Sequence, residues 1–357
     1  MDVNLLSSQK GREVLLFISA LIIHLVFSSI FIFRFSLHKF ATLYDAGIFI
    51  GIAENGYTTT PYFAMFPLFP FTIRLLSFLT GNFNLSAVIL SPLFSALSTV
   101  IFYRIAQLKS NHPFSVAFFF IFALYPWFTV SSLAYSEPLY MFLLLSCFYL
   151  YLKNNMAVSS ILAGFAALTR LTGVLLFIPL LYKSFKEKDY HAAPLAFLPL
   201  LFVGGLFLYF YHLTGNLFIT FEAEREWAKG TVTDPGTYLI YPFSFLLYFA
   251  KYGLHLIYYW RIVFVFLLYT AALISLRKDV GMMLFTVPTY LLIVSLSPFP
   301  TFGFGLDRFL IPIFPIFFAY EEHICKPHWV NRLLFFGLVI LFVVLAFIII
   351  EHWCLLL

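Results

Sequence analysis

Charge is what this sequence has least of. Of 357 residues, 10% are Asp, Glu, Lys or Arg, 62% are hydrophobic, and the mean hydropathy is +0.96. A water-soluble fold cannot hide that much apolar surface, so lipid is the solvent for most of the chain. Cysteine is nearly missing. Cys147, Cys325 and Cys354 are widely spaced, which excludes a disulfide framework and a thiolate zinc site. His112, His191, His212 and His255 are scattered without partners at ligand spacing, so neither a metal nor a cofactor is expected. The net charge of +5 does not form a nucleic-acid patch, because the basic residues fall in short loops between apolar runs and act as topology signals. No linker, composition shift or internal repeat marks a second unit. One integral-membrane domain over 1–357 is expected. What the chain has in excess is aromatic: 49 Phe and 22 Tyr, suited to lipid-facing and interfacial surfaces.

Apolar runs of membrane-crossing length divide the sequence. Lys10 and Arg12 precede the first, 14–33, which puts the N-terminus on the cytoplasmic side. No small-residue cleavage site follows, so this run reads as an anchor. An outer loop, 34–65, comes next. Phe66-Pro67-Leu68-Phe69-Pro70 then opens a short apolar helix ending near Gly81, since proline suits a first turn and glycine an end. That helix is too short to span and is expected to lie at the outer surface or dip in. Spans are expected at 85–108, 114–133 and 139–152. The next run, 158–182, carries Thr169-Arg170-Leu171-Thr172-Gly173 at its middle. A single span would strand Arg170 at mid-bilayer, at a cost of about 2.5–3.5 kcal/mol. Lys183, Lys186 and Lys188 follow it, so the run reads as two short helices that rise and descend, with Arg170 at an outer apex. Further spans are expected at 192–213, 260–275, 282–296, 309–320 and 333–350, with an interfacial stretch at 238–258. The expected fold is all-α, a polytopic membrane protein of about eleven segments with interfacial helices in the first outer loop.

This topology, set by Lys and Arg alone, gathers Asp45, Glu54, Glu137, Arg170, the Glu222–Lys229 cluster and Asp307-Arg308 on one side. A purely lipid-facing bundle has no reason to do so. An active site does. Asp45 has two readings: the N-cap of a short helix that Gly56 ends, or a carboxylate base beside lipid, where desolvation favours taking a proton from a hydroxyl. Glu137 either caps the helix that Pro138 begins or binds sugar hydroxyls. Arg170, at a helix break, either grips a phosphate in bidentate fashion or pairs with Glu137 or Asp45. Most of the 222–229 charges read as a solvated surface, although Trp227 among them suits a sugar ring. Asp307 favours a helix N-terminus, beside Arg308. Glu54, Tyr57 and Arg308 complete the candidate substrate-binding set. Asn84-Leu85-Ser86 forms a glycosylation sequon.

Four stretches together resemble a known family. They are Tyr44-Asp45-Ala46-Gly47 running to Ala53-Glu54-Asn55-Gly56-Tyr57; Phe66-Pro67-Leu68-Phe69-Pro70; Tyr135-Ser136-Glu137-Pro138-Leu139; and Ala167-Leu168-Thr169-Arg170-Leu171-Thr172-Gly173. A fainter one is Arg308-Phe309-Leu310-Ile311-Pro312. In this order they resemble the family of the second-mannose transferase of GPI-anchor assembly (PIG-V) and its archaeal and bacterial relatives, which are multi-pass GT-C glycosyltransferases. The resemblance implies a polyprenyl-phosphate donor such as dolichyl-phosphate mannose, a lipid-linked glycan acceptor, and inverting transfer on the non-cytoplasmic side. The membrane would be that of the endoplasmic reticulum in a eukaryote and the cell membrane in a prokaryote. It also implies that the acid of the first outer loop, Asp45, is the base. Tyr44 departs from the tryptophan frequent in the family, and Thr-Arg-Leu-Thr-Gly is closer to prokaryotic members. The rival reading is a transporter or lipid flippase, for which an inverted repeat and midplane ionisable residues would speak.

Overall fold

The computed structural model describes residues 8–122, 130–228, 273, 279–296, 310 and 312–319. Among these residues every regular element is helical. Three helical stretches are long and apolar enough to cross a membrane: Gln9–Phe35, Phe83–Lys109 and Ala193–Thr214. Leu68–Thr80, Glu137–Leu152, Met156–Ala167 and Val280–Ile293 are shorter apolar helices, and the expected spans 114–133 and 309–320 are described only in part. The stretches 238–258 and 333–350, and nearly all of 260–275, lie outside the described residues.

Helix α1 (Gln9–Phe35) begins at Ser8, whose side chain accepts from the Gly11 amide. Val14, Ile18, Ile22, Val26 and Ile30 recur every four residues and are exposed, while Leu16, Ala20, Phe27 and Phe31 are buried on the opposite face. That division is what a lipid-facing stripe requires. After a five-residue α2 (Leu37–Ala41) and α3 (Asp45–Asn55), the Thr60–Ala64 3₁₀ turn leads into α4 (Leu68–Thr80) and then α5 (Phe83–Lys109). Helix α5 runs antiparallel to α1. Arg104 clamps Glu13 through Nε and Nη2 at 3.0 and 2.8 Å, while at the other end Asn84 Nδ2 lies 3.3 Å from His38 Nδ1. Between them His24, fully buried, sits with Nδ1 3.1 Å from Ser132 Oγ and Nε2 3.2 Å from Ser95 Oγ. Ser28 donates to the Ser132 carbonyl at 2.7 Å. Such hydroxyl and imidazole contacts hold membrane helices together where apolar burial gives no net drive.

Next come α6 (Pro113–Phe122), α7 (Glu137–Leu152) and α8 (Met156–Ala167), and after a Leu171–Leu176 3₁₀ turn, α9 (Phe177–Lys186). Helix α7 is buried along most of its length and packs on both α5 and α8. Its ends carry complementary charge: Glu137 opens it, and Lys183 Nζ donates to the Tyr151 carbonyl at its close, each favourable for the helix dipole. Lys183 also reaches Asn154 Oδ1 at 2.6 Å, lies 4.3 Å from the Tyr151 ring centroid, and has Glu187 at 3.6 Å. Burial pulls its proton affinity below the ordinary lysine range, and the Glu187 charge opposes that shift. Replacing Lys183 by Met keeps the stem and orphans the Tyr151 carbonyl and Asn154. Thermal unfolding in detergent should show a loss of about 1–3 kcal/mol, while the exposed neighbour Lys186→Met stays close to the parent. Equal midpoints for the two variants would remove Lys183 from the list of stabilising contacts.

The chain closes, within the described residues, with the Ala193–Phe197 3₁₀ turn, α10 (Leu198–Thr214), α11 (Ile219–Ala228), α12 (Val280–Leu296) and a four-residue α13 (Ile316–Ala319). Lys109 pairs with Asp279 at 2.7 Å, so the start of α12 joins the Glu13–Arg104 end of the bundle. An added Cβ on Gly281 would stand 2.5 Å from Tyr151 Oη, which places the foot of α7 there too. The Lys183 end therefore collects Glu13, Arg104, Lys109, Asp279 and Asn154. The first loop, the start of α5, Glu137 and Arg170 point the other way.

Candidate active site

The break expected inside 158–182 is present. Helix α8 stops at Ala167, Arg170 adopts an extended backbone (φ −151°, ψ 139°), and the 3₁₀ turn starts at Leu171. Two helices give the distance of that break from the Lys183 end. Helix α8 has 12 residues and so rises about 18 Å from the Lys183 end, against about 30 Å of bilayer hydrocarbon. Helix α5 gives the same level independently: Ser98 Oγ donates to the Pro138 carbonyl at 3.4 Å, and Ser98 stands about 16 Å along the axis from Lys109. The break thus stands about 16–18 Å from the Lys183 end, one short helix away. The run 158–182 had length to spare, but part of it forms the 3₁₀ turn and α9 on the way back.

What makes a charge tolerable at that level is Glu137. Arg170 Nη1 lies 2.8 Å from Glu137 Oε1, with side-chain exposures of 19% and 3%. Both Glu137 oxygens are shut off from solvent. Of the readings open from sequence, the salt bridge between Arg170 and Glu137 is the observed one. Glu137 is the first residue of α7, and its cap, Ser136, makes no side-chain bond. The hairpin geometry explains the pairing: α7 and α8 fold back about the 153–155 turn, which also brings Cys147 Sγ within 3.3 Å of Ser159 Oγ and lets Thr172 donate to Tyr140 Oη at 3.1 Å. Gly173 allows the 3₁₀ turn to lie flat on the end of α8, since a Cβ there would stand 2.5 Å from the Ala167 nitrogen.

The first loop meets this apex. The Leu68 amide donates to the Leu168 carbonyl at 3.2 Å, so α4 starts at the level of the break. It then climbs to the start of α5, where Thr80 Oγ1 lies 2.6 Å from Ser86 Oγ. Helix α4 therefore runs from the break to the start of α5. Its Phe71, Leu75, Phe78 and Leu79 are exposed along one face, as lipid contact requires. The same hydroxyl contact buries Ser86 inside a helix, so the Asn84 sequon is not presented as a glycan acceptor.

Asp45 is placed differently from expectation. It is the first helical residue of α3, not its cap; the cap position is held by Tyr44, whose side chain makes no capping bond. The amides that a cap would satisfy are already taken, Ala46 by the Leu43 carbonyl and Gly47 by that of Tyr44. Tyr44 adopts φ 50° and ψ −124°, strained for a residue with a side chain, a conformation costing about 1–3 kcal/mol. Asp45 itself is half-buried. One turn further on, the Phe49 ring is 5.3 Å from that of Phe69, and Phe69 adjoins the Leu68 amide bonded to the apex. Helix α3 is thus related to the apex indirectly, through Phe49, Phe69 and the Leu68–Leu168 bond.

The other end of α3 is also anchored. Gly56 ends the helix with φ 74°, as expected, and Glu54 is exposed. Tyr57 donates its hydroxyl to the Met65 carbonyl at 2.8 Å, and its ring lies 4.8 and 5.2 Å from Phe210 and Phe63. Burial, then nearby Tyr209, pushes its hydroxyl above the usual tyrosine range, so Tyr57 is a wedge between the first loop and α10. Sequence reasoning missed Tyr62, whose hydroxyl rests on Gly51 of α3 and would have to shift to admit a Cβ there. Helix α11 turns Ile219 and Ala223 inward and exposes Glu222, Glu224 and Glu226, so those carboxylates are solvated. Trp227 belongs to that helix. Asp307 and Arg308 lie outside the described residues. An open depression of about 500 Å³ lined by Asn154, Asn155, Asp189 and His191 lies at the Lys183 end, away from Arg170. Among the described residues no His, Cys, Asp or Glu cluster has metal-site geometry.

No family model matches this chain, and no curated protein matches its sequence. The function must therefore be argued from the site.

Proposed function

We propose that this is a membrane glycosyltransferase that moves a hexose, mannose in the first instance, from a polyprenyl-phosphate donor to a lipid-linked acceptor. The observation that carries the reading is a guanidinium held by a buried carboxylate at a helix break, where the start of α4 meets the end of α8. A prenyl chain lies in lipid by preference, and its phosphate needs a cation there; Arg170 supplies one, with the amide end of α4 beside it. Asp45 takes the proton from the acceptor hydroxyl. The oxygen then attacks the anomeric carbon opposite the phosphate, the carbon–oxygen bond to phosphate breaks, and polyprenyl phosphate leaves with the electron pair. One displacement inverts the anomeric centre. The leaving group already carries its charge, so a positioned cation matters more than a general acid.

A transporter or flippase remains the second reading, favoured by the same finding. Short helices meeting at an ionisable pair are a transporter hallmark. Purified protein incubated with radiolabelled polyprenyl-phosphate mannose and a membrane lipid extract separates the two. Transfer yields a labelled, longer lipid product, whereas transport yields none in detergent and moves the label across a vesicle wall. Product formation should persist in excess chelator, and strong inhibition there would defeat the metal-free mechanism.

A further inference from the structure

The pair at the apex has an asymmetry. Arg170 keeps a fifth of its side chain exposed, while Glu137 keeps almost none. A ligand can approach the guanidinium. It cannot reach the carboxylate, whose oxygens are both closed off. Glu137 is also rigid in a way that Arg170 is not. It is fixed at the start of a buried helix, and the turn before it is pinned because Ser91 Oγ donates to the Tyr135 carbonyl at 3.0 Å and accepts from the Tyr135 amide at 3.1 Å. Arg170 has its backbone held, its amide donating to the Ala166 carbonyl at 3.0 Å and its carbonyl accepting from the Gly173 amide at 2.9 Å, so the freedom that remains lies in its long side chain.

We infer that Glu137 is a positioning residue: it does not touch substrate but aims Arg170 and holds its charge in place, so that the protein distinguishes a phosphate-bearing prenyl lipid from the neutral alcohol. This rests on the reading of Arg170 as the phosphate-binding group. A long, flexible guanidinium left alone within the bilayer would snorkel toward water, away from the level where Leu168 and Leu68 meet. The buried carboxylate prevents that. Its single charge leaves the pair near neutral, so an arriving phosphate competes for the guanidinium at the exposed end without displacing Glu137.

The test compares the full-length protein in detergent with Glu137→Gln, Glu137→Asp, Arg170→Gln and the double variant Glu137→Gln/Arg170→Gln. For each, thermal unfolding is recorded, along with affinity for polyprenyl monophosphate and for the matching polyprenol. The expected result is that Glu137→Gln loses roughly tenfold in affinity for the phosphate lipid and little for the polyprenol, with partial recovery in Glu137→Asp. The double variant should regain the stability that either single change loses, because no unpaired buried charge remains, yet bind both lipids alike. A Glu137→Gln variant with parental phosphate-to-alcohol preference would overturn the positioning role alone. Equal affinity of the unaltered protein for the two lipids would instead remove the phosphate reading of Arg170 on which it stands. A double variant that still prefers phosphate would do the same.

Discussion

Asp45→Asn should reduce the initial rate of sugar transfer by roughly 10²–10⁴-fold, the usual contribution of a positioned general base. The change keeps size and polarity and removes only the ability to take a proton. Stability should move little. Asp45 is not the cap of α3, and the amides nearest it are bonded to the Leu43 and Tyr44 carbonyls. The carboxylate's interaction with the helix's amide end accounts for about 0.3–1 kcal/mol, and asparagine keeps an oxygen that can still accept a hydrogen bond. That combination separates a base from a structural acid: turnover collapses, the unfolding midpoint holds, and affinity for the phosphate lipid persists. Asn55→Ala is the control at the other end of the same helix, exposed at its last position, and should transfer at close to the parental rate. Near-normal turnover in Asp45→Asn would end the base assignment, whatever the fate of Arg170.

The helix break was legible because two signals agreed. An arginine stood in the middle of an apolar run, and lysines at its end demanded a return to the side from which the run began. The distance of the break from the Lys183 end was not legible, because length alone cannot say how 25 apolar residues divide among a helix, a 3₁₀ turn and another helix. The pairing of Glu137 with Arg170 was within reach: both lie at similar distances from the Lys153-Asn154-Asn155 turn, as hairpin partners must. The role of Asp45 as a cap failed for a local reason. An aspartate ahead of an apolar stretch is the ordinary cap signal, and nothing in the sequence marks Tyr44 as the residue bent to φ 50°. The lipid-facing stripe of α1 and the exposed face of α4 follow from spacing that the sequence displays openly. The spans beyond residue 228 gain less support, since only α12 and the short α13 among them are described.

Gly173→Ala should be the most damaging glycine-to-alanine change among the described residues. A Cβ at that position would stand 2.5 Å from the Ala167 nitrogen and 2.6 Å from the Ala166 carbonyl carbon, and backbone cannot move aside as a side chain can. Overpacking of this kind typically costs about 1–3 kcal/mol and more where relief requires the chain to shift. Here the shift would lift the 3₁₀ turn off the end of α8 and carry Arg170, three residues earlier, out of register with Glu137. The variant should unfold at a lower temperature, and the fraction that stays folded should lose its preference for phosphate over alcohol, so both readouts fall together. Gly204→Ala supplies the contrast, because an added Cβ in that exposed stretch of α10 meets nothing within 4 Å, and neither readout should change. A Gly173→Ala protein with the parental midpoint would mean that α8 and the turn after it do not pack as closely as described, and the fixed geometry claimed for Arg170 would go with them.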